Sequence, residues 1–259
     1  TTGVSVLWAV TLDIPTFDSF QARDIFESTK IYDRTGKVVL YDVHGNVKRT
    51  IVPLSDIAKT VQDATVAIED ANFFEHKGVD PKGIARAFLV NLGAGSVRQG
   101  GSTITQQVIK MAILTSDRSI TRKIKEVILA VKLERSMAKD DILAIYVNEA
   151  PYGGSIYGIE EASQSFFGKS ARDLSLAESA YLAALPQAPS YLSPYGSHQD
   201  KLEERKNLVL QRMLDLGKIS KEQFVQAKSE KITFNQRDDG GIKAPHFVDY
   251  VRSYLEEKY

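Results

Sequence analysis

Helix-start motifs recur along this sequence, and they constrain the fold more strongly than any other feature. Ser175 stands three residues before Glu178, the spacing of a capping box. In that motif the hydroxyl and the longer side chain each accept a hydrogen bond from the other residue's backbone N–H. The same spacing recurs twice, in Thr103 with Gln106 and in Ser220 with Gln223. A chain with this many helix starts is predicted to be mainly α.

Apolar spacing between these motifs predicts where individual helices lie. Ser55 is expected to cap the first helix, and Asp80 followed by Pro81 indicates the start of another. Two further helices are expected at residues 121–138 and 140–148. The residues predicted to be buried on the first of these two are Ile124, Val127, Ile128 and Val131.

A short segment ahead of the helices carries the signals of β structure. Residues 31–54 alternate apolar runs with turns at Gly36 and Gly45, which predicts a small hairpin element. Residues 55–259 are expected to form the main domain, which ends in a linker region. Residues 1–30 contain an apolar stretch with a Trp, which is typical either of a truncated membrane anchor or of an ordinary docking segment.

Composition and motif content exclude several classes of function. Lys plus Arg and Asp plus Glu both total 33, so no net charge attracts nucleic acid. The absence of Cys excludes thiol catalysis and thiolate metal sites. The four His lack metal-ligand spacing, and His76 is expected to bond a backbone group. No nucleotide-binding glycine loop joins a strand to a helix, which argues against an α/β nucleotide-binding fold.

Glu69 and Asp70 open the first stretch suited to catalysis. The helix predicted from Ser55 places Glu69 near a helix C-terminus, which carries partial negative charge. This charge and the neighbouring Phe73 and Phe74 are expected to raise the pKa of Glu69, which favours acid–base chemistry near neutral pH. Only one of the two adjacent carboxylates is expected to face a cleft. The alternative is a solvated helix end at which Glu69 and Asp70 form salt bridges with cations and have no catalytic role.

A second stretch resembles an anion-binding turn. Gly100 and Gly101 precede Ser102 and Thr103 at a predicted helix start. Backbone N–H groups at such a turn, the positive end of the helix dipole and two hydroxyls together favour a negatively charged ligand. The alternative is a plain glycine turn before a capped helix.

A third stretch concentrates positive charge in a chain that is neutral as a whole. Its members are Lys110, Arg118, Arg122, Lys123 and Lys125, and it ends at Glu126. Such a cluster suits a pyrophosphate group, and the carboxylate beside these cations is expected to be ionised. The alternative is the solvated face of a helix.

Five sequence blocks occur in an order that resembles glycosyltransferase family 51, the peptidoglycan glycosyltransferases of bacterial wall synthesis. The first block is Glu-Asp-x-x-Phe-x-x-His-x-Gly at residues 69–78, and the second is Gly-Gly-Ser-Thr-Ile-Thr-Gln-Gln at residues 100–107. The third is Arg-Lys-x-x-Glu at residues 122–126. The fourth and fifth lie within residues 141–169 and 174–194. One block can occur by chance, but five in order are highly specific.

The resemblance implies a lysozyme-like, two-lobed and mainly helical fold. It implies that lipid II is the substrate and that β-1,4-linked glycan is the product. The growing lipid-linked chain is the implied donor, and moenomycin is the implied inhibitor. It also implies contact with the membrane surface on the extracytoplasmic face of the bacterial cell membrane. The implied membrane-dipping part lies between the first two blocks and includes Phe88, Leu89, Val90, Leu92 and Val97.

The resemblance also assigns roles to individual residues. Glu69 corresponds to the proposed catalytic base, and Glu126 corresponds to a second carboxylate on the pyrophosphate side. Glu126 is expected to act there directly or through Mg or Mn, and no tightly bound cofactor is expected. The residues expected to bind substrate phosphates are Gly101, Ser102, Thr103, Gln106, Lys110, Arg118, Arg122 and Lys123.

Two other functions are compatible with parts of the pattern. A lysozyme-type lytic enzyme would use a similar carboxylate near apolar groups, but it does not need the cation cluster. A non-catalytic, membrane-associated scaffold would keep the fold without the chemistry, although Glu69 and Glu126 are both present. The last residues resemble the approach to a transpeptidase domain, so a bifunctional protein is expected.

Overall fold

Helices dominate the structure, a computed structural model, as the capping motifs predict. The residues that it describes are 29–36, 38–43, 48–85, 101–112, 120–236 and 244–258. The helices within these ranges are α1 Lys59–Glu69, α2 Ile104–Ala112, α3 Ile120–Ser136, α4 Lys139–Glu149, α5 Ile159–Phe167, α6 Leu176–Ala184, α7 Gln199–Asp215, α8 Lys221–Ser229 and α9 Pro245–Lys258. Residues 81–85 are also helical, which confirms the helix start at Pro81.

The strands are few and short. They are β1 Thr29–Tyr32, β2 Val39–Val43, β3 Lys48–Arg49, β4 Pro151–Gly153 and β5 Ile156–Tyr157. β1 and β2 pair antiparallel, which confirms the predicted hairpin. β3 pairs parallel with β5, and β5 pairs antiparallel with β4. The N-terminal β segment is therefore joined to strands that lie about 100 residues further along the chain.

All three predicted capping boxes are present. At the start of α2, Gln106 Oε1 accepts from the Thr103 N–H at 2.8 Å, and Thr103 Oγ1 accepts from the Gln106 N–H at 3.2 Å. Ser175 with Glu178 caps α6 in the same way, and Ser220 with Gln223 caps α8. These reciprocal bonds satisfy N–H groups that have no partner within their own helix.

The first helix begins later than the Ser55 prediction, which is therefore wrong. Residues 54–56 form a 3₁₀ turn, and Ser55 bonds the side chain of Asp56 instead of capping a helix. The Leu54 carbonyl accepts from the Ile57 N–H at 3.2 Å and from the Gln62 side chain at 3.1 Å. The Ala58 N–H, which an α-helix would direct to the Leu54 carbonyl, donates to the Ala171 carbonyl at 3.0 Å, and the α-helical pattern starts only at Lys59.

The buried face of α3 also differs from the prediction. The side chain of Ile124 is 49% exposed, whereas Leu129, Ala130 and Leu133 are buried. The neighbouring loop packs on the observed face of α3, and its Gly78 has a φ of +95°. A Cβ at Gly78 would lie 2.7 Å from the backbone of Ala130, so glycine allows this loop to pack directly on α3.

The helices pack in two groups. α1 packs against α6 and α7, whereas α2 packs against α3 and α4. This division agrees with the two-lobed fold that the resemblance implies. The C-terminal end of α1 and the N-terminal end of α2 meet at the boundary between the groups, and the candidate site lies there.

Candidate active site

Glu69 is the last residue of α1, and its side chain is held between the two groups of helices. Only 13% of this side chain is exposed. Gln107 of α2 donates from Nε2 to Glu69 Oε2 at 2.7 Å. On the other side, Arg205 of α7 places Nη2 4.0 Å from Glu69 Oε1. Each carboxylate oxygen therefore faces a different group of helices.

The surroundings of Glu69 raise its pKa above the ordinary value of 4.5. Burial is the largest cause, since it removes water from the charged form, and the charge of Asp70 adds to it. The hydrogen bond from Gln107 and the charge of Arg205 act in the opposite direction. The direction agrees with the sequence prediction. Phe74 is half exposed and Phe73 belongs to the core, so general burial is the better description of the cause.

Asp70, the neighbour of Glu69, has a structural role. Its Oδ2 accepts from the Ile104 N–H at 3.0 Å and lies 2.8 Å from His76 Nε2. His76 Nδ1 accepts from the Gly78 N–H at 3.2 Å, so Nε2 carries the ring proton and donates to Asp70. As expected, His76 bonds a backbone group. The carboxylate of Asp70 is occupied in joining the end of α1 to the start of α2.

An open cleft lies beside Glu69. Gly101 and Ser102 of the predicted anion-binding turn line the same cleft, and so does Arg212 of α7. The other lining residues are Ala67, Ile68, Asp70, Ala71, Asp80, Gly83 and Thr103. The structure thus brings the predicted base and part of the predicted phosphate site to one cavity.

Thr103 and Gln106 are tied into the start of α2. Both are buried, and their side chains form the capping box described above. The hydroxyl of Thr103 also donates to the Gly78 carbonyl at 2.8 Å. These bonds give both side chains a structural role. Their direct contact with phosphate stays a prediction. Gly101 is exposed and Ser102 is partly exposed, so these two are the accessible part of the turn.

Glu126 lies on the buried face of α3, with 4% of its side chain exposed. It forms a direct ion pair with Lys123, one turn earlier on the same helix. The ammonium of Lys123 also donates to Ser102 Oγ at 2.9 Å. Lys123 therefore links Glu126 to the turn that lines the cleft, while half of its own side chain stays exposed.

The other predicted phosphate-binding cations are less closely assembled. Lys110 is exposed at the end of α2, and Arg122 is partly buried at the start of α3. Arg118 lies outside the described residues, as do Gly100 and the predicted membrane-dipping stretch. Within the described ranges, no group of three or more His, Asp or Glu side chains could hold a metal ion.

Sequence reasoning missed several residues around Glu69. Gln107 belongs to the second block but was given no role, and Arg205 and Arg212 carried no motif. Tyr146 and Tyr152 are also buried close to Glu69, and burial and the Glu69 charge raise the pKa of each phenol. The Tyr146 hydroxyl has no hydrogen-bond partner among the described residues. The sequence signal for these two tyrosines is that both lie within the fourth block of the resemblance.

Comparison with known proteins places these features in a family. The model of the transglycosylase family matches residues 36–214. A penicillin-binding protein 1A of Aquifex aeolicus is 43% identical over 90% of this chain and 32% of its own length. Its counterpart in Escherichia coli K12 is 40% identical over 89% of this chain and 27% of its own length. The chain spans about a third of these relatives or less.

A solved structure covers a similar share of this chain. The penicillin-binding protein 1A of Haemophilus influenzae has 25% identity and a TM-score of 0.49, over 91% of this chain and 25% of that chain. The family match alone covers well over half of the sequence. The chain belongs to the transglycosylase family, which confirms the resemblance and the predicted class of enzyme, a peptidoglycan glycosyltransferase.

Proposed function

We propose that this chain polymerises lipid II into β-1,4-linked glycan strands, with Glu69 as the general base. The observation that carries the proposal is the shared cleft: Glu69, with its raised pKa, faces the same cavity as Gly101 and Ser102. Ser102 also accepts a hydrogen bond from Lys123, so the proposed phosphate-binding cation is tied to a residue that lines the cleft.

The protein must remove a proton from the acceptor and stabilise the leaving group. The acceptor 4-hydroxyl attacks the anomeric carbon of the donor, and Glu69 takes the hydroxyl proton as the new C–O bond forms. The bond from that carbon to the pyrophosphate oxygen breaks, and its electron pair leaves with the lipid pyrophosphate. Lys123 stabilises the charge that develops there, so the leaving group needs no separate acid. Attack opposite the leaving group inverts the anomeric centre.

A bridging divalent cation fits these residues poorly. Glu126 is the expected ligand, but its carboxylate is already paired with the Lys123 ammonium. The described residues also offer no cluster of carboxylates or imidazoles of the kind that Mg or Mn prefers. In the proposed reaction the Lys123 ammonium is therefore the cation that stabilises the departing pyrophosphate, and no step passes through a metal.

The substrate places the reaction at the membrane surface on the extracytoplasmic face. Lipid II and the growing chain are both lipid-anchored, so the cleft must meet them where their pyrophosphate groups leave the bilayer. Among the described helices, none combines the length and the apolar character that crossing a bilayer requires.

The test is polymerisation of lipid II by the purified chain, with and without moenomycin. We expect lipid-linked glycan chains as products and their loss when moenomycin is added. Purified cell wall serves as the second substrate, because a lysozyme-type lytic enzyme would release fragments from it. Fragment release without polymerisation would overturn the proposal in favour of the lytic enzyme. Moenomycin binding without either activity would favour the non-catalytic scaffold.

A further inference from the structure

Arg205 is a buried cation with a fixed position. Only 14% of its side chain is exposed, and its Nε donates to the Ala184 carbonyl, at the end of α6, at 3.0 Å. A charge removed from water is costly unless an opposite charge lies near it. The carboxylate recorded beside this guanidinium is that of Glu69. The anchor on Ala184 aims Arg205 at the predicted base.

The groups that face Glu69 come from four other segments. α2 contributes the neutral Gln107, α4 contributes Tyr146, and β4 contributes Tyr152. From its own chain neighbourhood, Asp70 adds a negative charge. Within the described part of the chain, Arg205 of α7 is the cation that lies 4.0 Å from the Glu69 carboxylate, and Arg212, further along α7, lines the same cleft.

The distance between the two charges matters. Hydrogen bonds from N–H to oxygen span about 2.7–3.2 Å, and charged pairs at that range strongly favour the ionised carboxylate. Arg205 Nη2 lies at 4.0 Å from Glu69 Oε1, so its charge is felt without a direct bond. The carboxylate is therefore stabilised as an anion but keeps one oxygen available for the proton of a substrate.

We propose that Arg205 is a positioning residue that keeps Glu69 ionised in its buried setting and orients the oxygen that receives the acceptor proton. This inference rests on the proposed role of Glu69 as base. Gln107 holds one oxygen by a direct bond, and Arg205 controls the other by charge alone. After proton transfer, the same charge favours release of the proton from Glu69, which restores the base for the next cycle.

The test compares the pH dependence of kcat/KM for lipid II in the unchanged chain, Arg205→Gln and Arg205→Lys. Loss of the positive charge raises the pKa of Glu69, so the acid limb of the Gln variant should move to higher pH. Below that limb we expect a loss of about tenfold or more, which shrinks as the pH rises. The Lys variant keeps the charge and should recover most of the shift.

Two controls separate this role from a structural one. Lys201→Gln removes an exposed cation one turn earlier on α7, where it pairs with Asp200 and Glu204, and it should leave the profile unchanged. If Arg205→Gln unfolds, Arg205→Met keeps the packing of the apolar stem. An equal loss of activity at every pH, with the acid limb in place, would overturn the proposal.

A carboxyl titration tests the inference without enzyme activity. In ¹³C-labelled protein, the signal lost in Glu69→Gln identifies the Glu69 carboxyl carbon. Its titration midpoint should rise in Arg205→Gln and stay near its original position in Lys201→Gln. An unchanged midpoint sinks the Arg205 proposal even if lipid II is polymerised. A shifted midpoint in a chain that does not polymerise lipid II supports Arg205 and rejects the proposed function.

Discussion

Glu69 and Glu126, the two carboxylates proposed for the site, are both largely buried, yet their partners differ. Glu69 accepts a hydrogen bond from a neutral amide at 2.7 Å, and its nearest cation lies 4.0 Å away. Glu126 is in direct contact with the ammonium of Lys123, which also reaches Ser102. The first carboxylate belongs to the junction between helix groups, and the second belongs to a single helix.

The difference shows how one site can assign two tasks to one residue type. The direct ion pair keeps the Glu126 carboxylate in contact with the Lys123 ammonium. Burial with only a distant cation raises the pKa of Glu69, so it can take up a proton in the reaction. Glu69 is suited to act as base, and Glu126 is suited to fix Lys123 on the phosphate side.

Replacement of Glu69 should have the largest effect. In Glu69→Gln the side chain keeps its shape but cannot accept the acceptor proton. We expect kcat to fall about 10²–10⁴-fold, the usual contribution of a general base. The measurement is lipid II polymerisation at saturating substrate, with circular dichroism to confirm the fold. Near-normal turnover would remove Glu69 from the role of base.

Asp70→Asn is the matched control for this variant, since it changes the adjacent carboxylate. Asp70 accepts from His76 and from the Ile104 N–H, so the change weakens a buried structural network. We expect a stability loss of about 1–3 kcal/mol, visible as a lower Tm. Glu69→Gln should leave the Tm much closer to its starting value. If both variants mainly lowered the Tm, the functional contrast between the neighbours would disappear.

Replacement of Lys123 should have the next largest effect and should act both on binding and on the departure of the pyrophosphate. Lys123→Met removes the ammonium that joins Glu126 to the cleft. A hydrogen bond involving a charged group contributes about 1.5–3 kcal/mol, so we expect the KM for lipid II to rise about 10–100-fold. Arg135→Met, an exposed change on the same helix, is the control and should leave the KM unchanged. We expect kcat to fall as well, because Lys123 is the cation proposed to stabilise the departing pyrophosphate. Unchanged kcat and KM would remove Lys123 from the phosphate side.

Local signals predicted much of the helical fold. The capping boxes of α2, α6 and α8 depend on residues three apart, which the sequence displays directly. α7 was missed because it begins after His198 without a side-chain cap and has a highly charged sequence. The pairing of β3 with β5 was also missed, because no local pattern specifies a partner about 100 residues away.

The candidate site shows the same limit. Glu69, Ser102 and Lys123 could be selected from motifs and charge clustering. Arg205 stands in the run Glu203-Glu204-Arg205-Lys206, which by composition is typical of a solvated helix face. Only packing between α7 and α1 reveals that this cation is buried beside Glu69. The α3 face was mispredicted for a related reason, since Glu126 lies on the buried side.

The pH profile of the unchanged chain tests whether Glu69 acts as the base. The pKa of Glu69 is raised above 4.5, and the base works only when it is deprotonated. Activity should therefore be complete above the raised pKa and fall as the pH drops through it. Below that midpoint kcat/KM should decrease about tenfold per pH unit, as for a single protonation. An acid limb at or below 4.5 would mean that Glu69 is not the group that limits the rate.

The smallest effect is expected for Arg212, a cation of α7 on the cleft wall. Arg212 lines the cleft beside Glu69, and none of the described residues forms an ion pair with it. A partly exposed cation of this kind contributes about 0.2–1 kcal/mol to an interaction with an anion. Arg212→Gln should therefore raise the KM for lipid II by no more than about fivefold, with kcat unchanged.

Salt separates this effect from the one at Lys123. Charges at an open cleft are screened within about 10 Å at 0.1 M salt, whereas a partly buried pair is screened less. The KM difference between the unchanged chain and Arg212→Gln should shrink as salt is raised, while the Lys123→Met difference should persist. Lys221→Gln, an exposed change on α8, controls for the loss of one positive charge. If Lys221→Gln raised the KM equally, net charge and not Arg212 would account for the effect.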